Sequence, residues 1–309
     1  MLVTNSKGEP RDAAPSSVLQ LSAADGRLYH EAMDQLQGKR EALLFELRGY
    51  GAMVVAFSGG VDSTFLAAIA SEALGERARA ITGVSPSVAP AELEEAVALA
   101  RQIGIAHSTV ETHEMDNPDY VANSEMRCFH CKDELYGILS AIAGEADGAV
   151  VVDGTNADDV GDWRPGRKAA TLHGVRSPLL ELGFAKQDIR ELSRQMGLPT
   201  WDKPAMACLA SRIPHGTPVT VEALDQVGAA EAMLRGLGVR QVRVRHHGDV
   251  ARIETDEEGM AIAFAPENRG KVVARLQGLG FRHVALDLAG YRSGSMNAHT
   301  AKHGGPPER

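Results

Sequence analysis

The sequence contains little that would tie the chain to a membrane, an oxidising compartment or a nucleic acid. Only three cysteines occur in 309 residues, and such a small, odd number favours a reducing cytosol over a disulfide scaffold. No apolar run approaches the roughly 20 residues that a membrane-spanning helix needs, and the N-terminus lacks the apolar core of a signal peptide. Basic residues are outnumbered by acidic ones, 32 against 41, and the net charge is −9. Non-specific nucleic-acid binding needs a dominant positive field. We therefore expect a cytoplasmic protein whose partners include neither a membrane nor a nucleic acid.

Short apolar runs alternate with helical patterns over the first two thirds of the chain. Runs with the length of buried strands lie at 53–57, 78–84, 107–111 and 148–153. Segments with helical spacing of apolar residues lie at 28–47, 64–74, 91–103, 132–143 and 185–196. This alternation predicts an α/β fold, in which a parallel sheet has helices on both faces. Ligands of such sheets bind beyond the C-terminal ends of the strands.

The pattern changes after a proline-containing loop at 200–218. Helical spacing at 221–237 and 268–279, and strands at 241–245, 250–254 and 283–288, predict a smaller C-terminal α+β domain. His246 and His247 are predicted to lie in the hairpin turn between the first two of these strands. The expected organisation is a disordered segment 1–27, a first domain 28–218, a second domain 219–290 and a flexible tail 291–309.

The segment Ser58-Gly59-Gly60-Val61-Asp62-Ser63 follows the first strand and opens a helix. A glycine pair at this point allows backbone N–H groups and the helix N-terminus to bind a phosphate. Both serine hydroxyls can donate to phosphate oxygens, and no Gly-Lys-Ser/Thr ending marks a Walker loop. The alternative is a tight strand-to-helix turn capped by Asp62 or Ser63.

A second polar turn, Gly154-Thr155-Asn156-Ala157-Asp158-Asp159, follows the fourth strand. Its carboxylates are expected to face the same sheet edge, where Asp158 or Asp159 could hold Mg²⁺ through water. Gly154 and Thr155 are predicted to contact the nucleotide. The alternative is an Asx-rich helix cap.

The cysteines allow several kinds of chemistry. Cys128 and Cys131, in a Cys-x-x-Cys motif, could bind a metal or act as a redox pair. A closed zinc site needs four ligands, whereas three thiolates with one open coordination position suit a [4Fe-4S] cluster. Cys208 would complete that set. The alternative for Cys208 is a buried, apolar cysteine with no chemical role.

Arg243 and Arg245 lie on one face of a predicted strand, where two guanidiniums suit a phosphate or carboxylate clamp. Glu231 and Glu254 are expected to accompany them. The alternative is a solvated strand face.

Ser58–Ser63 resembles the pyrophosphate loop of the ATP-pyrophosphatase superfamily, whose members cleave ATP between its α and β phosphates to form adenylates. Within it, the chain most resembles the LarE family of sulfur transferases, which help to make a nickel-pincer nucleotide cofactor. The resemblance covers about residues 30–290. It is carried by the segments 127–132, 153–159, 161–166, 176–179, 208–213, 242–248 and 250–254.

This resemblance implies a function and a set of roles. The substrate would be a carboxylated pyridinium mononucleotide, adenylated with ATP and Mg²⁺ in domain 28–218. A sulfur nucleophile would then displace AMP, with Arg212 joining the substrate-binding residues of domain 219–290. Cys208 matches the cysteine that some LarE proteins sacrifice, leaving dehydroalanine. Relatives with three such cysteines use a [4Fe-4S] cluster, and the same is expected here. LarE relatives are hexamers, so a homo-oligomer is expected.

Three alternatives remain open at this stage. The first is a tRNA-thiolating enzyme with the same loop and cysteine chemistry. The second is an amide-forming ligase like NAD synthetase, in which the cysteines would be incidental. The third is an ATP-binding regulatory module without catalysis.

Overall fold

The computed structural model describes residues 23–145, 148–161 and 165–292. The predicted disordered segment lies outside these residues up to position 22, and so does the predicted tail from position 293. Residues 23–27 belong to the first helix rather than to a disordered segment. Within the described ranges, no helix has both the length and the apolar character that crossing a membrane requires.

The first part of the chain builds a four-stranded parallel sheet. Its elements are α1 (Ala23–Gly49), β1 (Met53–Ala56), α2 (Val61–Leu74), β2 (Ala78–Val84), α3 (Pro90–Ile103), β3 (Ala106–Glu111), α4 (Pro118–Val121), α5 (Arg127–Glu145), β4 (Val150–Val152), α6 (Gly166–Leu172), α7 (Pro178–Glu181) and α8 (Lys186–Gln195). The strand order is β3-β2-β1-β4, with Met53 of β1 beside Ala78 on one side and Val150 on the other.

Alternate residues of β1 enter two different cores. Met53 and Val55 belong to the core formed with α1, α2, α3 and α8. Val54 and Ala56 belong to a separate core formed with α5 and α6. Because side chains of a strand point alternately to opposite faces, this division means that helices cover both faces of the sheet. The prediction of a doubly covered parallel sheet is confirmed.

The C-terminal part forms a second, smaller sheet. Its elements are α9 (Val221–Gly236), β5 (Val242–His247), β6 (Val250–Thr255), α10 (Glu257–Ala263), α11 (Pro266–Gly278) and β7 (His283–Leu286). The order is β5-β6-β7, with β5 antiparallel and β7 parallel to the central strand. The predicted α+β arrangement is therefore confirmed.

The position predicted for His246 and His247 is wrong, because both belong to β5. His247 pairs with Val250, so the hairpin turn consists of Gly248 and Asp249 alone. Gly248 has a φ of 60°, which a glycine adopts without strain. The ring of His246 packs against Phe281, which explains why the strand continues through it.

The second core also receives residues that precede position 219. Tyr120, Leu209, Ala210 and Ile213 all pack in it. Asn123, fully buried in the left-handed conformation with φ 55°, helps to hold this segment, because its amide group donates to three backbone carbonyls. These are the carbonyls of Ile213, Pro214 and Thr217, at 3.3, 2.9 and 2.8 Å. The boundary between residues 218 and 219 stays a prediction.

The turn after β4 packs so closely against the start of α2 that Gly154 leaves no room for a side chain. A Cβ atom there would lie 2.9 Å from the backbone nitrogen of Ser63. We expect Gly154→Ala to lower the free energy of unfolding by about 1–3 kcal/mol, because the backbone must shift. Urea denaturation measures this change.

The matched control is Gly144→Ala in α5, where nothing lies within 4 Å of the added Cβ. There, alanine should leave stability unchanged or raise it by up to about 1 kcal/mol. Equal stability of the Gly154→Ala variant and the parent protein would contradict the close packing.

Candidate functional site

The turn between β1 and α2 has the geometry of an anion-binding loop. Gly59 has a φ of 67°, and a Cβ at this position would lie 3.2 Å from Ala96 of α3. Gly60 begins the helix in extended conformation, and no side chain caps the helix N-terminus. The hydroxyl oxygens of Ser58 and Ser63 lie 3.1 Å apart. The N-terminal N–H groups of a 14-residue helix and two hydroxyl groups therefore converge on this turn.

Two lysines from distant segments contact this loop. The ammonium of Lys186, at the start of α8, lies 2.7 and 2.6 Å from the two carboxylate oxygens of Asp62. Lys203 donates to the carbonyl oxygen of Gly59 at 2.9 Å and pairs with Glu95 at 2.8 Å. Both ammonium groups are therefore paired with carboxylates in this structure, and both lie close enough to the loop to contact an anionic ligand there.

The turn at 154–159 lies against the same loop through Gly154. Thr155 donates its backbone N–H to Asp153 at 3.1 Å. Asp158 accepts from the backbone N–H of Lys186 at 2.8 Å, and buried Asp159 accepts from that of Asn156 at 3.0 Å. Both carboxylates therefore accept hydrogen bonds from backbone N–H groups, which is what an Asx-rich cap would do. Their role in holding Mg²⁺ stays a prediction.

The three cysteines come from two segments. Cys128 and Cys131 lie in the first turns of α5, and Cys208 lies directly before a short 3-10 turn, Leu209–Arg212. Cys128 is at the surface, whereas Cys131 and Cys208 are half-buried. Within the described ranges, no three His, Cys, Asp or Glu side chains are grouped as closely as a metal site requires.

The thiols are nevertheless near enough to influence one another. Burial raises the pKa of Cys131 to about 12, and the negative charges of Glu114 and Cys208 add to this effect. Surrounding protein also raises the pKa of Cys128 although its side chain reaches the surface, and the charge of Cys208 raises it further. The raised pKa values favour the protonated thiols of Cys128 and Cys131, and both would have to release their protons to bind a metal. The donor set still suits an iron–sulfur cluster in chemistry.

Arg127 connects the two cysteine-bearing segments. Its guanidinium donates to Asn123 at 2.5 Å and to the carbonyl oxygen of Ala210 at 2.9 Å. Burial alone would lower the pKa of Arg127, but the nearby charges of Cys208 and Cys128 raise it. No local pattern indicates a role for Arg127, although it is the first residue of the segment 127–132.

Arg212 is fully buried and forms a two-pronged ion pair with equally buried Glu231, at 2.7 and 2.8 Å. It also donates to the carbonyl oxygens of Ala207 and Cys208, at 2.5 and 3.0 Å. Burial alone would raise the pKa of Glu231, but the hydrogen bonds and charge of Arg212 hold it below its ordinary value. In this arrangement Arg212 holds the backbone around Cys208 in place. Contact between Arg212 and a substrate stays a prediction.

Arg243 and Arg245 lie on one face of β5, as predicted, but are only 6% and 5% exposed. Their strand face is thus not solvated. Arg243 donates to the carbonyl oxygen of Ala205 at 2.5 Å. Arg245 donates to the carbonyl oxygen of Ser211 at 3.0 Å and pairs with Glu254 at 2.7 Å. Their predicted role in substrate binding is not tested by these contacts.

One segment, residues 201–211, is therefore held by guanidiniums from several elements. The acceptors are backbone carbonyls, and the donors are Arg127, Arg190, Arg212, Arg243 and Arg245. We call this segment the transfer loop. Its conformation depends on α5, α8 and β5 together.

A cavity of about 210 Å³ lies beside the transfer loop, between α3, α9 and β5. Ala205 and Met206 of the loop form part of its apolar wall. Its charged lining consists of Glu92, Glu95, Lys203, Arg235, Arg240 and Arg243. Because Lys203 also contacts Gly59, the cavity adjoins the anion-binding loop. Sequence patterns did not identify Glu92 or Lys186, because their roles depend on neighbours distant in the chain.

Comparisons with known proteins agree with this geometry. A family model described as NAD synthase matches residues 43–128, which include the Ser58–Ser63 loop. The pyridinium-3,5-bisthiocarboxylic acid mononucleotide synthase of Lactiplantibacillus plantarum is 39% identical over 267 residues, which are 86% of this chain and 96% of that protein.

Two further relatives differ in how much of the chain they match. An uncharacterised protein of Synechocystis is 50% identical over 244 residues, which are 79% of this chain and 91% of that protein. A probable tRNA sulfurtransferase of Methanobrevibacter smithii is 24% identical over 180 residues, which are 55% of this chain and 46% of that protein. The similarity to the proteins of Lactiplantibacillus plantarum and Synechocystis thus extends over most of the length of both.

The ion pair of Arg212 and Glu231 yields a prediction about stability. Glu231→Gln leaves a buried guanidinium without its counter-charge, and we expect a loss of about 3–5 kcal/mol in the free energy of unfolding. Urea denaturation followed by circular dichroism measures it. Glu222→Gln, at an exposed position of the same helix, is the control and should change stability by less than about 0.5 kcal/mol. Similar small effects of both substitutions would argue against a structural role for the pair.

Proposed function

The chain belongs to the LarE family of ATP-dependent sulfur transferases, and we propose that it converts a carboxylate of a pyridinium mononucleotide into a thiocarboxylate through an acyl-adenylate. The substrate class follows from the name of the relative in Lactiplantibacillus plantarum. The observation that carries the proposal is the cavity beside the transfer loop, which adjoins both the anion-binding loop and the segment that bears Cys208.

The first step of the proposed reaction is adenylation. A carboxylate is a poor electrophile, and attack of its oxygen on the α-phosphate of ATP forms the acyl-adenylate and releases pyrophosphate. The N–H groups at the start of α2 and the hydroxyls of Ser58 and Ser63 would bind the departing pyrophosphate. Lys186 and Lys203 would balance its negative charge. Mg²⁺, held by Asp158 or Asp159, would supply further charge neutralisation.

The second step is sulfur transfer. A sulfur nucleophile adds to the carbonyl carbon of the adenylate, and the carbon–oxygen bond to AMP breaks. We assign Cys208 to this step, either as the nucleophile or as a ligand of the sulfide donor, because it belongs to the transfer loop, whose residues 203–206 line the cavity. Arg212 and Arg245 would keep its backbone in place through their contacts with Cys208 and Ser211.

The source of the sulfur depends on all three cysteines. We propose that Cys128, Cys131 and Cys208 hold a [4Fe-4S] cluster, and the support for this proposal is their donor chemistry, because three thiolates leave one coordination position open. When bound, such a cluster would supply inorganic sulfide, so that Cys208 is not consumed. Arg127, which contacts the transfer loop from α5, would hold the two cysteine-bearing segments close to one another.

Removal of the Cys208 sulfur should separate the two steps. With ATP and a carboxylated pyridinium mononucleotide, Cys208→Ala should still form AMP and pyrophosphate, because adenylation does not require the thiol. Thiocarboxylate formation, followed by mass spectrometry of the nucleotide, should fall by at least about 100-fold. Cys208→Ser controls for side-chain volume and should behave in the same way. Full conversion of the carboxylate into a carboxamide by Cys208→Ser in the presence of ammonia would instead favour an amide ligase in which the cysteines are incidental.

The cluster makes a separate prediction about composition. Anaerobically purified protein should contain about four iron and four acid-labile sulfide per chain, and Cys128→Ala should lose both. The mass of Cys208 should be unchanged after turnover. If iron is absent and the protein becomes lighter by about 34 Da, Cys208 has donated its own sulfur and become dehydroalanine. That pair of results would overturn the cluster and retain sulfur transfer.

A further inference from the structure

The cavity beside the transfer loop has a mixed charge that phosphate binding alone does not explain. Four cationic side chains line it, but so do the carboxylates of Glu92 and Glu95 on α3. Negative charges beside an anion site weaken anion binding, since each repels the ligand. Glu95 is neutralised by Lys203 at 2.8 Å. Glu92 therefore needs a separate explanation.

Glu92 is half-buried at the wall of this cavity. Its carboxylate has no hydrogen bond or ion pair with any residue in the described ranges, although Arg235 and Arg243 line the same cavity. Burial raises its pKa above the ordinary value, while three nearby guanidiniums act in the opposite direction. A carboxylate that is partly desolvated and lacks a direct partner is favourable where a ligand supplies a positive charge.

We propose that Glu92 is a specificity residue that faces the positively charged pyridinium ring of the substrate, while the cations of the cavity bind its anionic groups. This inference rests on the proposed function, because it takes the substrate class from there. A pyridinium mononucleotide is zwitterionic, with a cationic ring, a phosphate and carboxylates. The cavity carries cations from the transfer loop, α9 and β5, of which Lys203 and Arg235 also pair with Glu95 and Glu231. It also carries the carboxylate of Glu92 from α3, which has no hydrogen bond or ion pair in the described ranges.

The ring charge can be removed without changing the rest of the ligand. Nicotinic acid mononucleotide has a cationic pyridinium ring, a carboxylate and a phosphate, and its 1,4-dihydro form has the same anionic groups on a neutral ring. Binding of both forms is measured by calorimetry on the full chain, in buffer well above the ordinary pKa of a carboxylate. The parent protein should bind the cationic form more tightly than the neutral form.

Glu92→Gln keeps the shape of the side chain and removes its charge. It should weaken binding of the pyridinium form by about 5–10-fold and change binding of the dihydro form by less than about two-fold. Glu94→Gln is the matched control, since Glu94 is exposed on the same helix and does not line the cavity. It should alter neither affinity. Thermal unfolding of both variants verifies that they fold.

The possible results distinguish this inference from the function on which it rests. If the parent protein binds neither nucleotide, the substrate class is wrong and the role of Glu92 falls with it. If the parent binds both but Glu92→Gln weakens them equally, Glu92 acts through structure and only the specificity role is overturned. If Glu92→Gln tightens both, the carboxylate merely repels the anionic groups, and the role is again overturned.

Discussion

The structure around the candidate site depends on buried guanidiniums that bind backbone carbonyls of the transfer loop. This segment has no strand or helix partner along most of its length, so its polar backbone groups need other donors. Arginine offers five N–H groups in a rigid plane and keeps its charge when buried, which suits it to this task. The cost of burying the charge is offset by carboxylates placed beside it, Glu231 for Arg212 and Glu254 for Arg245. The position of Cys208 is thus determined by an ionic framework.

This framework explains why the two sheets are not independent of one another. Arg243 and Arg245 extend from the small sheet, Arg190 from α8 and Arg127 from α5, and all four reach the same segment. The core beneath the small sheet is continuous with this arrangement, because Leu209 and Ala210 of the transfer loop pack in it. A change in any of these elements would shift the loop, and a shift of about 1 Å is enough to impair a reaction between positioned groups.

The sequence predicts the periodic parts of this molecule well and the long-range parts poorly. Runs such as 53–57 and the helical spacing of 91–103 depend on neighbouring residues alone, and both elements form as predicted. Helices α4, α6, α7 and α10 have only four to seven residues, too few for a period to appear. In the site, the Ser58–Ser63 loop is a local motif, and the sequence alone indicates it. By contrast, the contact of Arg127 with Ala210 spans 83 positions, and no local pattern indicates it. Alternation correctly placed Arg243 and Arg245 on one face but could not show that their partners are carbonyls.

Lys203 shows how the two halves of the proposed reaction can be coupled through one side chain. It belongs to the transfer loop, yet its ammonium donates to the carbonyl oxygen of Gly59 in the anion-binding loop. Its side chain is 13% exposed, so this contact is partly shielded from water and stronger than a surface contact. The loop proposed to bind phosphate and the loop that bears Cys208 are therefore joined directly, without the sheet between them. In a two-step reaction, the adenylate formed at the first loop must meet sulfur at the second. The hydrogen bond of Lys203 restricts the independent motion of the two loops. The distance between them therefore varies less than it would if each loop were attached only to its own strand.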